Sequence, residues 1–202
     1  NSYKKTCEYL LSLGYWVFRM GKYVNLKLDI KNNKFIDYAN SSNRSDFLDI
    51  WLMANCHYCI STNTGFDFVA KIFKKPVIST NFIPLRDIYI DSFVLTAPKK
   101  LLWKNNNTEL TLNEVVQNSY SRKNDYEKQG IKILDLNEDE ILSVIIDMEN
   151  LLKNKKIYSS DQEKKLTKFW YIIIKKIYNN FDSVKINKKA YISSQYLENL
   201  IL

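Results

Sequence analysis

The spacing of apolar and polar positions divides the chain into short alternating elements. Asn1–Leu13 reads as a helix that stops at Gly14, the residue type that most readily takes the left-handed backbone of a helix end. Tyr15–Met20 is an apolar and aromatic run broken only by Arg19, the pattern of a buried strand. The polar stretch Asn25–Lys34 predicts a loop, Phe35–Tyr38 a short strand and Asn40–Asn43 a turn. Ser45 is placed to cap a helix whose apolar face would hold Phe47, Leu48, Ile50, Trp51, Leu52 and Ala54. His57–Ile60 predicts the next strand, Ser61–Gly65 a turn, Phe66–Lys74 a helix ended by Pro76, and Val77–Thr80 a further strand. Asn81–Asp91 is then a loop containing Pro84.

Helix and strand alternating with short connections predict an α/β fold, a Rossmann-like parallel sheet with helices on both faces. Beyond Pro98 the alternation loosens. Leu112–Tyr120 and Lys123–Gln129 predict helices, and Ile131–Leu136 a final strand. Asp139–Leu152 predicts an amphipathic helix with Ile141, Val144, Ile145, Met148, Leu151 and Leu152 on one face. A long helix follows from Ser160 or Asp161 to about Phe181. Its apolar arc holds Leu166, Phe169, Trp170, Ile173, Ile174, Ile177 and Phe181, with Lys164, Lys165, Lys168, Lys175 and Lys176 opposite and Ile172 among them. Two uses of this helix stay open: a peripheral membrane contact, or packing against this domain or an absent one. The expected division is residues 1–155 as the Rossmann-like domain and 156–202 as a C-terminal helical extension.

Composition narrows the partners only a little. The net charge of +8 favours phosphate-bearing ligands, nucleic acid or anionic lipid without choosing among them. Abundant Lys, Asn, Ile and Tyr with scarce Gly and Pro is also the mark of an AT-rich genome, so part of the basicity reflects codon usage. Cys56 and Cys59 have the spacing of a redox or zinc pair, but His57 is the single histidine and no second pair exists. Buried structural thiols are therefore expected, and no metal or resident cofactor. No secretory signal and no uncharged apolar run long enough to span a bilayer is legible, which points to the cytoplasm or the inner face of the membrane.

The chemistry-bearing stretch is Cys59–Ala70. A strand ends, the turn Ser61, Thr62, Asn63, Thr64, Gly65 follows, and a helix begins at Gly65. The first amides of a helix lack internal partners and carry positive potential, which suits a phosphate. The hydroxyls add donors, and Gly65 allows a close backbone approach. Open α/β sheets bind ligands at this carboxyl-terminal edge. Arg19 and Gly21 fall at the end of a neighbouring strand, where a guanidinium could pair with the same phosphate. The P-loop and dinucleotide glycine patterns are both absent. Asp46, Asp49 and Asp67 sit in first helical turns and are read as serving the helix dipole.

Taken in order, Tyr15–Lys22, Asp37–Asn40, Arg44–Ile50, Ile60–Gly65 and Lys75–Val77 resemble a group of bacterial glycosyltransferases associated with surface polysaccharide synthesis. Ile192–Leu197 resembles it more weakly. The turn with its following Lys75-Pro76-Val77 is also similar to the donor-diphosphate pattern of GT-B enzymes such as heptosyltransferases. The resemblance implies the C-terminal, donor-binding half of a GT-B fold, with the N-terminal acceptor domain missing. It implies transfer of a sugar from a nucleoside-diphosphate sugar to a glycan or lipid-linked acceptor, without a bound metal. Arg19, Gly21, Ser61, Thr62, Asn63, Thr64 and Gly65 would hold the donor diphosphate. The general base is unassigned and would lie on the absent domain, so this chain alone would transfer little. A non-catalytic nucleotide- or phosphate-binding module is the alternative. A nucleic-acid-binding domain ranks below it, because no recognised nucleic-acid motif is present.

Overall fold

A computed structural model describes residues 2–22, 24, 27–90, 93–177, 186–187 and 189–202. The first half contains α1 (Lys4–Ser12), β1 (Val17–Phe18), β2 (Phe35–Ile36), α2 (Asp46–Asn55), β3 (Cys59–Ser61), α3 (Asp67–Ile72), β4 (Val77–Phe82) and β5 (Val94–Pro98). The second half contains β6 (Lys100–Trp103), α4 (Leu112–Gln117), α5 (Lys123–Lys128), β7 (Ile131–Leu134), α6 (Glu138–Leu152), α7 (Ser160–Ile177), β8 (Ala190–Ile192) and α8 (Ser194–Asn199).

The central sheet is parallel, four-stranded and ordered β3-β4-β5-β8. Side chains alternate across it. Ile78 and Leu95 pack with Leu10 of α1 and with Ile141, Val144, Ile145 and Met148 of α6. Val77, Val94 and Ala190 face the other way, toward Ala70 of α3 and Trp170 of α7. Helices therefore flank both faces, the Rossmann-like arrangement expected. The fully buried row Ile141, Val144, Ile145 and Met148 is the face predicted for α6. Asn137 caps that helix through a reciprocal pair with Glu140.

Several expectations need correction. Tyr15–Met20 is not a buried strand. Only Val17–Phe18 pairs, in a separate two-stranded parallel ladder with Phe35–Ile36. Trp16 and Phe18 remain exposed. Ser45 does cap α2, accepting from the Leu48 amide, but the apolar side of that helix is largely uncovered. Phe47 is 73% exposed, and Met53 is the helix's buried residue. Ile131–Leu134 is neither the final strand nor part of the parallel sheet, because it pairs antiparallel with β6 in a separate two-stranded sheet. That pair has its own small core of Leu101, Leu110, Tyr126 and Ile131.

Residues 156–202 are not purely helical. β8 hydrogen-bonds to β5 at the sheet edge. Phe169 and Ile173 of α7 are buried with Phe82, Leu85, Leu112, Ile192 and Leu197. The apolar arc of α7 is thus a packing surface of this same fold. Phe181 lies outside the described residues. No described helix is long and apolar enough to cross a membrane.

Candidate functional site

β1 and β3 stand side by side without a hydrogen-bonded ladder. The Tyr15 ring, just before β1, lies 5.6 Å from His57 and 6.0 Å from Tyr58, just before β3. A cavity of about 520 Å³ lined by both strands lies between them. The start of β1 is beside Tyr58, while Arg19 at its end acts on Cys7, one helical turn from Tyr3, whose hydroxyl meets Thr80 beside Ser61, so the two strands point the same way. Arg19 and Gly21 lie at the same carboxyl-terminal edge as the Ser61–Gly65 turn. The chain moves outward from β1 to β2 and then returns to β3 on the other side. Open α/β sheets place ligand crevices at such a reversal.

The turn is anchored from beneath. Ser61 is buried, and its carbonyl accepts from the Thr80 hydroxyl at 3.1 Å. Thr80 in turn meets the Tyr3 hydroxyl at 2.7 Å. Ser79 and Thr96 stand in register with Ser61 on the next two strands and are also buried. Asn63 takes the left-handed conformation at φ 61°, and its side-chain oxygen accepts from Tyr89 at 2.7 Å. Asparagine tolerates that backbone better than most residues. Thr62, Thr64 and Gly65 face solvent. A β-carbon on Gly65 would meet nothing within 4 Å, so space is open above it. Gly21 has φ +138°, a backbone that side chains rarely adopt.

Two parts of the predicted site differ. The helix begins at Asp67, not Gly65, and α3 has only six residues. The Asp67 amide donates to the Thr64 carbonyl at 3.1 Å, and it and the Phe68 amide lie close enough to the Asp67 carboxylate to act on it electrostatically. The helix end is thus engaged by the chain itself. Burial raises the Asp67 carboxyl above its usual range, and Ser61, Lys71 and those two amides offset part of the rise. Neither carboxylate oxygen has a hydrogen-bond partner of full geometry. The second difference concerns Arg19, whose guanidinium pairs with Asp37 at 3.4 Å, both side chains being 20% exposed. Asn40 also donates to that carboxylate, at 2.8 Å.

The C-x-x-C pair behaves as structural thiols. Cys56 donates to the Met53 carbonyl, and burial pushes the Cys59 thiol up to about 12. Asp49 pairs with Arg44 at 2.8 Å rather than standing ready for acid–base work. Compared with family models, with curated proteins and with solved structures, the chain matches none.

Sequence reasoning missed Asp37, Thr80, Tyr89 and Lys71 as supports of the corner. Asp37 had a signal: it ends the strand paired with the one carrying Arg19. Tyr89 had none, because it reaches Asn63 from a loop 26 residues away.

Proposed function

We propose that the chain is the donor-binding half of a glycosyltransferase and holds a nucleoside diphosphate at the carboxyl-terminal edge of its sheet. One observation carries this reading. The exposed hydroxyls of Thr62 and Thr64 and the open backbone at Gly65 share an edge with Arg19, beside a crevice at the chain reversal between β1 and β3. The site would be a loop cradle, with hydroxyl and amide donors on one side and a guanidinium on the other. The six-residue helix adds little. Arg19 is held by Asp37 and Asn40 as a preorganised donor rather than a swinging one.

In the reaction, an acceptor hydroxyl oxygen bonds to the anomeric carbon while the bond from that carbon to the diphosphate oxygen breaks. The acceptor proton goes to a base, and the diphosphate leaves with the bonding electrons. Donors fixed where that negative charge grows lower the barrier. Arg19 and the turn fill this role. Asp67 is buried and is given no role as the base. The base is assigned to a domain that binds the acceptor.

A thermal-shift panel of nucleoside diphosphates and their sugars tests the reading. At least one nucleotide should raise the melting temperature, and Arg19→Ala and Thr64→Val should each weaken that response. If no nucleotide acts, or if both variants respond like the parent, the site is wrong. Sugar transfer by the chain together with an acceptor domain separates an enzyme from a binding module.

A further inference from the structure

The amino-terminal edge of the sheet, opposite the turn, carries an exposed apolar ridge. Trp16 leads into β1, Trp51 lies midway along α2, and Ile72 and Phe73 end α3. They are 58%, 50%, 73% and 47% exposed. Trp16, Trp51 and Cys56 line the wall of one cavity, Lys75 acts on Cys56, and α2 packs beside α3, the helix that Ile72 and Phe73 end. Single exposed apolar residues are ordinary, but four bulky ones together mark an interaction surface.

Lysines ring this ridge. Lys34 enters β2 and reaches the Gly14 carbonyl at the start of β1. Lys74 and Lys75 lead into β4. Burial raises the Cys56 thiol and Lys75 pulls it back, which places that ammonium close to the cavity wall. Farther from the ridge, at the β8 side of the sheet, Lys189 lies over the Phe93 ring at 5.3 Å, and Lys153 after α6 pairs with Glu149 at 3.4 Å. Among the described residues, no carboxylate lies within ion-pair distance of Lys34, Lys74, Lys75 or Lys189. Glu149 is buried and accepts from Tyr58 at 3.0 Å as well as pairing with Lys153.

We propose that this edge docks the protein on an anionic lipid bilayer, with Trp16, Trp51, Ile72 and Phe73 entering the headgroup region and the lysines facing acidic phosphates. Charge selects this occupant. Bulky aromatic residues beside lysines suit the bilayer interface, where one end is apolar and the other wet. A second copy meeting the same surface about a two-fold axis would set lysine against lysine. Nucleic acid would use the lysines but leave Ile72 and Phe73 in water. The proposal is independent of the nucleotide reading and places the membrane contact away from α7.

Co-sedimentation tests it, using vesicles of phosphatidylcholine alone and vesicles with phosphatidylglycerol added. The chain should sediment with the anionic vesicles only. Each lysine near a charged surface changes binding about fivefold, so Lys74→Gln with Lys75→Gln should weaken it about 25-fold. Ile72→Ser with Phe73→Ser should weaken it about tenfold or more, by removing the inserted apolar area. Lys164→Gln with Lys168→Gln on α7 should leave it unchanged. All six positions are exposed or half-exposed on the surface, and unchanged thermal melts would confirm that the variants fold. Several outcomes overturn the proposal. One is failure to sediment with anionic vesicles, and another is equal sedimentation with both lipids. A third is loss of binding in the α7 pair but not in the Lys74/Lys75 pair. A concentration-dependent dimer abolished by the Ile72/Phe73 pair, without vesicle binding, gives the edge to a second copy. Tighter binding to an oligonucleotide than to vesicles gives it to nucleic acid.

Discussion

At the carboxyl-terminal edge of the sheet, charges come in pairs: Arg19 with Asp37, Lys99 with Asp135, Lys100 with Glu140. At the amino-terminal edge, Lys34, Lys74 and Lys75 have no described carboxylate partner, and Trp16 and Trp51 are exposed. The same composition is thus used in two ways. On one edge it makes a nearly neutral rim around a hydroxyl-rich turn, which selects by donor geometry. On the other it leaves a positive, greasy rim, which selects by charge and apolar contact. The net charge of +8 describes neither edge, because it sums over both.

The comparison can be broken first at its structural anchor. Glu149 is buried under the amino-terminal edge and accepts from Tyr58 and Tyr15. Glu149→Ala strands both hydroxyls and should cost about 2–3 kcal/mol, the range for hydrogen bonds to a charged group. In a chain of this size, that lowers the melting temperature by about 5–10 °C. An unchanged melt would mean that this network does not hold the edge together.

A smaller effect sharpens the functional contrast. Arg19→Ala should weaken nucleoside-diphosphate binding about tenfold, the worth of one charge-assisted hydrogen bond. Titration calorimetry would measure it, and vesicle binding should not move. If Arg19→Ala affected vesicles and nucleotides alike, the two edges would not be separate sites.

The smallest expected effect is a pH dependence at Asp67. Its folded carboxyl titrates above the ordinary value of 3.8 because it is buried. The folded state therefore holds the proton longer than the unfolded one. This contribution is present below the ordinary value and is lost as pH rises through the raised folded value. Asp67→Asn removes the titration. The melting temperature of the parent minus that of the variant should fall as pH goes from acid to neutral. A flat difference would show that the carboxyl is not held in its buried setting.

What the sequence revealed follows from how local each signal was. Ser45 announces its helix because a cap acts within three residues. The α6 face was legible because one stripe of a long helix is buried. β5 was missed although it lies between β4 and β8. All five of its residues are buried, so no alternation marks it. β8 has three residues, and its pairing with β5 spans almost a hundred positions. The exposed side of α2 was read as a core face because periodicity reports an apolar stripe, not what covers it. The turn at Ser61–Gly65 was found through its residue types. Its true support, the Tyr3–Thr80–Ser61 chain and the Tyr89–Asn63 bond, depends on contacts no local pattern encodes.

The most direct test of the central claim is hydrogen exchange across the whole chain, with and without a saturating nucleoside diphosphate. Slowed exchange should be confined to residues 61–66 and 19–21, with the amino-terminal edge around Lys74 and Lys75 unchanged. Protection at the amino-terminal edge instead, or at neither edge while the nucleotide is shown to bind, would contradict it.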